Sequence, residues 1–258
     1  TMLRIVTDGA GDIIPSWGKE YGIEVIPVNI LFGETSYLQG VELDNEGFYK
    51  LVEESRRIPK TSQPSPHQFV EFYRRIAQKG DTILSIHITA KLSGTYASCI
   101  AAAEEVKDEF KVIPIDSALG SLGIGILCRE ARKMERAGKS IEEIVKYVED
   151  VKKRSRVILT LDTLEYAKMS GRVKTLQAAL ASGLNVKPIA VLRDGDLKME
   201  ERVRTRKAAL DRVVEMAKNE YGDQSVILAV VHARDPKSGE GLLEEAKKHF
   251  NYTEALMG

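Results

Sequence analysis

The sequence predicts an α/β protein of two units: an N-terminal one with a mostly parallel sheet flanked by helices, and a C-terminal α/β one with an antiparallel sheet. Three observations carry this. Up to about residue 155, short β-rich runs alternate with amphipathic helical runs, the pattern of a parallel sheet covered on both faces. Beyond that point Asp194-Gly195 separates two strand-like runs, 187–193 and 197–204, and favours a type I′ turn, which makes those strands antiparallel. Finally, 258 residues with 43% hydrophobic and 29% charged content suffice for one to two cores. The boundary falls near 155, giving 1–155 and 156–258.

In order along the first unit, strands are expected at 3–8, 23–30, 82–88 and 111–116. Asp44 caps a helix carrying Phe48, Leu51 and Val52. Ser65-Pro66-His67-Gln68 reads as a capping box with proline at the first helical position, and Phe69, Phe72 and Tyr73 give that helix its apolar face. Helices follow at 95–106 and 120–137, the second closed by Gly138 before Ser140 and Glu143 form another capping box. In the second unit, a strand at 157–161 leads into a helix ending at Ser170-Gly171. The hairpin, a charged helix at 206–221, a strand at 225–232 and a helix at about 238–250 complete it.

Composition narrows the function classes. Lys plus Arg number 38 and Asp plus Glu 38, so the net charge is zero, which argues against a nucleic-acid binder held by bulk positive charge. The longest uncharged runs, 92–103 and 117–128, fall short of the roughly 18 residues a membrane span needs. With no apolar leader run near Leu3, the expectation is a cytoplasmic protein. Cys99 and Cys128 sit in apolar helical contexts without a C-x-x-C partner, so buried free thiols are expected; the four histidines show no metal-ligand spacing.

In parallel α/β sheets, ligands bind outside the carboxyl ends of the strands. Here those ends are rich in hydroxyls: Thr61 and Ser62 before the second capping helix, Ser93 and Thr95 after the 82–88 strand, and Ser117 after the next. Hydroxyls beside the free N–H groups of a helix start make an anion site, and Gly94 permits close backbone approach, so Ser93-Gly94-Thr95 is the leading candidate. The plainer reading makes Ser93 and Thr95 helix caps and Thr61 a turn residue. Ser93 as a nucleophile lacks the G-x-S-x-G setting and a base placed by spacing, and His87 reads as a core or edge residue. Gly9-Ala10-Gly11 has Ile14 where a dinucleotide fingerprint wants its third glycine, which leaves a tight turn. Gly120, Gly123 and Gly125 imply either close helix packing or room for a long apolar ligand. Basic runs at 169–173 and 202–207 are solvated faces or a docking surface for an acidic partner.

Taken together, Thr61-Ser62-Gln63-Pro64-Ser65, Leu92-Ser93-Gly94-Thr95-Tyr96, Asp116-Ser117, Ser170-Gly171-Arg172, Lys187-Pro188-Ile189 and Val203-Arg204-Thr205-Arg206-Lys207 span the chain in order. In these the chain resembles the DegV family of bacterial fatty-acid-binding proteins, the acyl-carrying subunits of the fatty acid kinase system. The resemblance implies one long-chain fatty acid, such as palmitate or stearate, bound between two α/β domains. Its carboxylate would be held by Thr61 and Ser93, with Gly94 and Thr95 as neighbours. It implies kinase contact through Arg172, Arg202 and Arg204, no cofactor or metal, no catalytic centre, and transient membrane contact for ligand exchange. Two departures stand out. Asp8-Gly9-Ala10 replaces the Asp-Ser-Thr of many members, and the chain stops at Gly258 without the His-x-Gly-Pro-Gly segment of the family's carboxylate site. The second implies a C-terminally incomplete sequence with one ligand-site histidine out of view. The alternatives are a serine-dependent acyl hydrolase acting through Ser93, and a fatty-acid-sensing regulatory module.

Overall fold

The computed structural model describes residues 1–165, 167, 170 and 185–258. Its contacts divide the chain into two compact units, Thr1–Ser155 and Arg156–Gly258.

The first unit is organised by a parallel sheet of β1 (Leu3–Asp8), β2 (Ile23–Ile26), β6 (Thr82–His87) and β7 (Lys111–Asp116) in the order β2-β1-β6-β7. From β1 the chain first adds β2 on one side and later β6 on the other, so the topological switch point lies between β1 and β6. Side chains alternate between the two sheet faces. Val6, Ile83, Ser85 and His87 meet α3 (Pro66–Ile76) and α4 (Thr95–Glu105), where Phe69, Val70, Tyr73, Cys99 and Ala102 complete one core. On the other face α5 (Leu122–Arg136) packs on β1 and β6, and α6 (Ile141–Arg154) packs on α5.

Local signals set these helices. Both capping boxes form, Ser65 with Gln68 and Ser140 with Glu143, and Asp44 caps α2 (Asn45–Ser55) through Gly47 N. Gly125 sits at a close approach, since a Cβ there would stand 3.0 Å from Ile13 Cδ1 and 3.2 Å from the Gly11 carbonyl and would force both to give way. Close helix packing is therefore what the structure shows at this glycine.

Two expectations need correction. The run 23–30 is not one strand: β2 ends at Ile26, and after Pro27, which has no N–H to give a ladder, β3 (Asn29–Phe32) enters a separate antiparallel sheet. That sheet has the order β4-β3-β5, with β4 (Thr35–Leu38) joined to β3 through Gly33 at positive φ, and β5 (Lys60–Ser62) taken from a stretch expected to be loop.

In the second unit β8 (Val157–Thr160), β9 (Lys187–Arg193) and β10 (Asp196–Val203) form the expected antiparallel sheet in the order β10-β9-β8. Asp194 and Gly195 both have positive φ, as a type I′ turn demands. The charged α7 (Arg206–Tyr221), capped by Thr205, packs on this sheet. A strand absent from the sequence reading, β12 (Asn251–Met257), pairs parallel with β11 (Ser225–Val230), because α8 (Pro236–Lys247) returns the chain to the same end before the second strand begins. The antiparallel description thus holds for β8 to β10 and not for this pair. The helix expected to end at Ser170-Gly171 falls largely outside the described residues. Both cysteines are buried and free.

Candidate functional site

The carboxyl ends of β1 and β6, on either side of the switch point, are joined by a buried polar chain. Asp8 and His87 are the last residues of their strands, and both are fully buried. His87 Nδ1 donates to Asp8 Oδ2 at 2.9 Å, while its Nε2 lies 2.6 Å from Ser85 Oγ, itself 2.7 Å from the Tyr73 hydroxyl. The same carboxylate accepts Ala10 N at 2.9 Å and Ile88 N at 3.1 Å, so it fixes the turns that leave both strands. Gly9–Gly11 form a single 3-10 turn capped by Asp8, in agreement with a tight turn.

Burial pulls the His87 imidazole toward neutrality, but the hydrogen bond and charge of Asp8, together with Cys99, outweigh it and raise the pKa to about 9. For Asp8, burial opposes ionisation and the bonds from His87, Ile88 and Ala10 prevail, so its carboxyl is held below the usual range. The pair is therefore ionic at neutral pH.

After His87 the chain turns through Ile88 and Thr89. Thr89 N donates to the Leu119 carbonyl at 2.9 Å, and Leu92 N and Ser93 N turn back on the Thr89 carbonyl. α4 then begins with Gly94 at its N-cap and no side-chain cap. Ser93 Oγ lies 2.8 Å from Thr95 Oγ1 and accepts Thr95 N at 3.2 Å, so both hydroxyls stand together at an uncapped helix start. Ser93 thus takes one amide of the helix start, as the plainer reading expects, although Gly94 holds the N-cap position. Gly94 leaves room for Gln63: a Cβ would fall 2.7 Å from Gln63 Nε2 and make that side chain shift. The observed contact between this loop and the 61–65 segment thus runs through Gln63. Thr61 lies on β5, exposed and paired with Ile30. Ser117, also expected at this edge, is buried and closes its own turn with Leu119.

Ser85, His87 and Asp8 have the hydrogen-bond order of a catalytic triad, yet Ser85 is fully buried and shared with Tyr73, and both His87 nitrogens are engaged within the core. The base that a Ser93 nucleophile needs is therefore not supplied by His87. Among the described residues no cluster of His, Cys, Asp or Glu is placed to hold a metal, and no helix is long and apolar enough to cross a membrane.

A family model described as "Uncharacterised protein, DegV family" matches residues 2–257. The chain belongs to the DegV family. A DegV domain-containing protein of Halalkalibacterium halodurans is 33% identical over 256 residues, covering 98% of this chain and 90% of that protein. Among solved structures, a fatty-acid-binding DegV protein of Thermus thermophilus superposes with a TM-score of 0.89 at 28% identity, over 100% of this chain and 92% of that one. A stearic-acid-binding protein of Eubacterium ventriosum gives 0.87 at 27% identity, over 96% and 87%. DegV proteins of known structure thus share this fold and bind fatty acids.

The arginines expected to meet a partner fall into different settings. Arg172 lies outside the described residues. Arg202 is exposed on β10, and Arg204, just after that strand, is exposed with no partner among the described residues. The neighbouring Arg206 bridges Asp162 and Asp235 instead, tying the end of β8 and the start of α8 to α7. The DegV sequence motifs do not separate this structural arginine from the exposed Arg204. They also do not reveal that Asp8 pairs with His87, because the bond joins residues 79 positions apart.

Proposed function

We propose that this DegV protein carries one long-chain fatty acid in the cytoplasm and presents its carboxylate to a separate kinase subunit, which phosphorylates it to an acyl phosphate. In this reading the protein has no catalytic centre of its own, needs no cofactor, and touches membranes only transiently to exchange ligand. The observation that carries it is the pair of hydroxyls, Ser93 and Thr95, at the uncapped start of α4 beside the switch point, in a family whose solved members bind fatty acids. Burial of about fourteen methylenes contributes on the order of 11 kcal/mol before the costs of association. The head group then needs only a few donors: the Ser93 and Thr61 hydroxyls, with the Gly94 amide and Thr95 as neighbours. Without a lysine bound to it, an oxygen stays free for phosphoryl transfer.

Native mass spectrometry of the purified protein should show a one-to-one adduct of fatty-acid mass. Hydrogen bonds to a charged group contribute roughly 1.5–3 kcal/mol, so Ser93→Ala and Thr61→Ala should each weaken palmitate binding about tenfold or more. Unchanged retention in both single variants and the double would overturn the head-group assignment. For the partner surface, Arg204→Ala should lower acyl-phosphate formation in the presence of the kinase while lipid content stays full. Arg172 and Arg202 belong to the same proposed surface. Lipid lost from the Arg204 variant would assign that arginine to the pocket instead.

A further inference from the structure

Of the proposed head-group residues, Ser93 and Gly94 lie on the segment 88–94 that leaves β6, and Thr95 follows it at the start of α4. Ala90 N reaches Asp116 Oδ1 at 3.3 Å, and Ile88 N reaches Asp8 Oδ2 at 3.1 Å. Of these two carboxylates Asp8 is the fully buried one, and Asp116 is half-buried. Asp8 also takes Ala10 N, so one carboxylate sets the departure of the chain from both strands at the switch point. Its own position is fixed by His87, whose ring is held at Nε2 by Ser85 and packed edge-on against Phe69.

We propose that Asp8 is a positioning residue for the head-group site: without touching the ligand, it determines where 88–94 leaves β6, and hence where the Ser93 and Thr95 hydroxyls and the Gly94 amide stand. The inference rests on the fatty-acid reading above. A carboxylate offers both oxygens to its three donors, Ala10 N, His87 Nδ1 and Ile88 N. Asparagine has nearly the same shape, but its NH2 must face either Ala10 N or the His87 and Ile88 pair, and it carries no charge to strengthen the bonds that remain, so Asp8→Asn weakens the arrangement without opening a cavity.

The test compares Asp8→Asn with Val106→Ala, a buried site at the far end of α4, roughly 16 Å along the helix from Thr95. Palmitate affinity and amide exchange at 88–93 are measured at conditions where the two variants are equally folded. Asp8→Asn should weaken palmitate binding about tenfold and speed exchange at 88–93, while Val106→Ala leaves both within about twofold of the native protein. Palmitate bound by Asp8→Asn within about twofold of native, or weakened as much by Val106→Ala, overturns the proposal. If Asp8→Asn does not fold, Ser85→Ala, which loosens the ring that holds Asp8, is judged by the same criteria. Should the native protein take up no palmitate, the fatty-acid reading falls, and exchange alone decides: faster exchange at 88–93 in Asp8→Asn than in Val106→Ala upholds the anchor, and equal exchange overturns it.

Discussion

Replacing Asp8 with alanine is expected to destabilise the protein by roughly 3–5 kcal/mol near pH 6 and to reduce the pH dependence that the native protein shows between about 6.5 and 9. The variant leaves a fully buried imidazole without its counter-charge. In the native protein His87 is raised from 6.5 to about 9, so its contribution is complete below about 6.5 and is lost as pH rises through 9. That window corresponds to on the order of 3 kcal/mol. Asp8 is lowered, so its contribution is present above its ordinary 3.8 and is lost only as pH falls below that. The groups facing His87 are Asp8 on β1, Ser85 on its own strand, Tyr73 and Phe69 on α3, and Cys99 on α4, with Asp116 its register partner on β7. Without Asp8, one of the two partners that raise His87 is gone, so the alkaline decline becomes shallower. Urea unfolding of both proteins at several pH values measures this. Equal alkaline slopes would show that the pair is not ionic.

Phe69→Ala should cost a similar amount, roughly 3–5 kcal/mol, for a different reason. The ring is fully buried, 5.7 Å from Tyr73 and 5.1 Å from His87 in an edge-to-face arrangement, at the centre of the core beneath α3 and α4. Its removal leaves a cavity against β6 that neighbouring strand residues cannot collapse to fill. Phe69→Leu, which keeps most of the volume, should cost clearly less. Denaturant midpoints at constant slope provide the measurement, and a loss below about 1 kcal/mol for the alanine would mean that α3 does not rest on this ring.

What the sequence disclosed was what is local or periodic. The capping boxes at Ser65 and Ser140 act over three residues, and Asp194-Gly195 encodes its turn in two, so each was legible. The hydroxyls of Ser93 and Thr95 after β6 were visible in the sequence, whereas Thr61, expected at the same sheet edge, lies in the middle of β5 in a separate sheet. The bond from Asp8 to His87 is not written in any window, because it joins adjacent parallel strands whose order depends on the whole sheet. The contact of Gln63 with Gly94 depends on the small sheet of β3 to β5, whose short strands carry too little pattern to be read. β12 escaped for a related reason: Asn251, Thr253 and Glu254 interrupt its apolar run.

The turn after β1 carries a consequence for sequence variation. A Cβ at Gly9 would lie 1.6 Å from Gln39 Oε1, while Gln39 Nε2 donates to the Gly9 carbonyl at 3.3 Å. The carboxamide occupies the volume that any larger residue at position 9 would claim. A side chain at position 9 therefore requires the end of the flexible Gln39 side chain to swing aside and give up its bond to the Gly9 carbonyl, so the size of residue 9 and the conformation of residue 39 are set together.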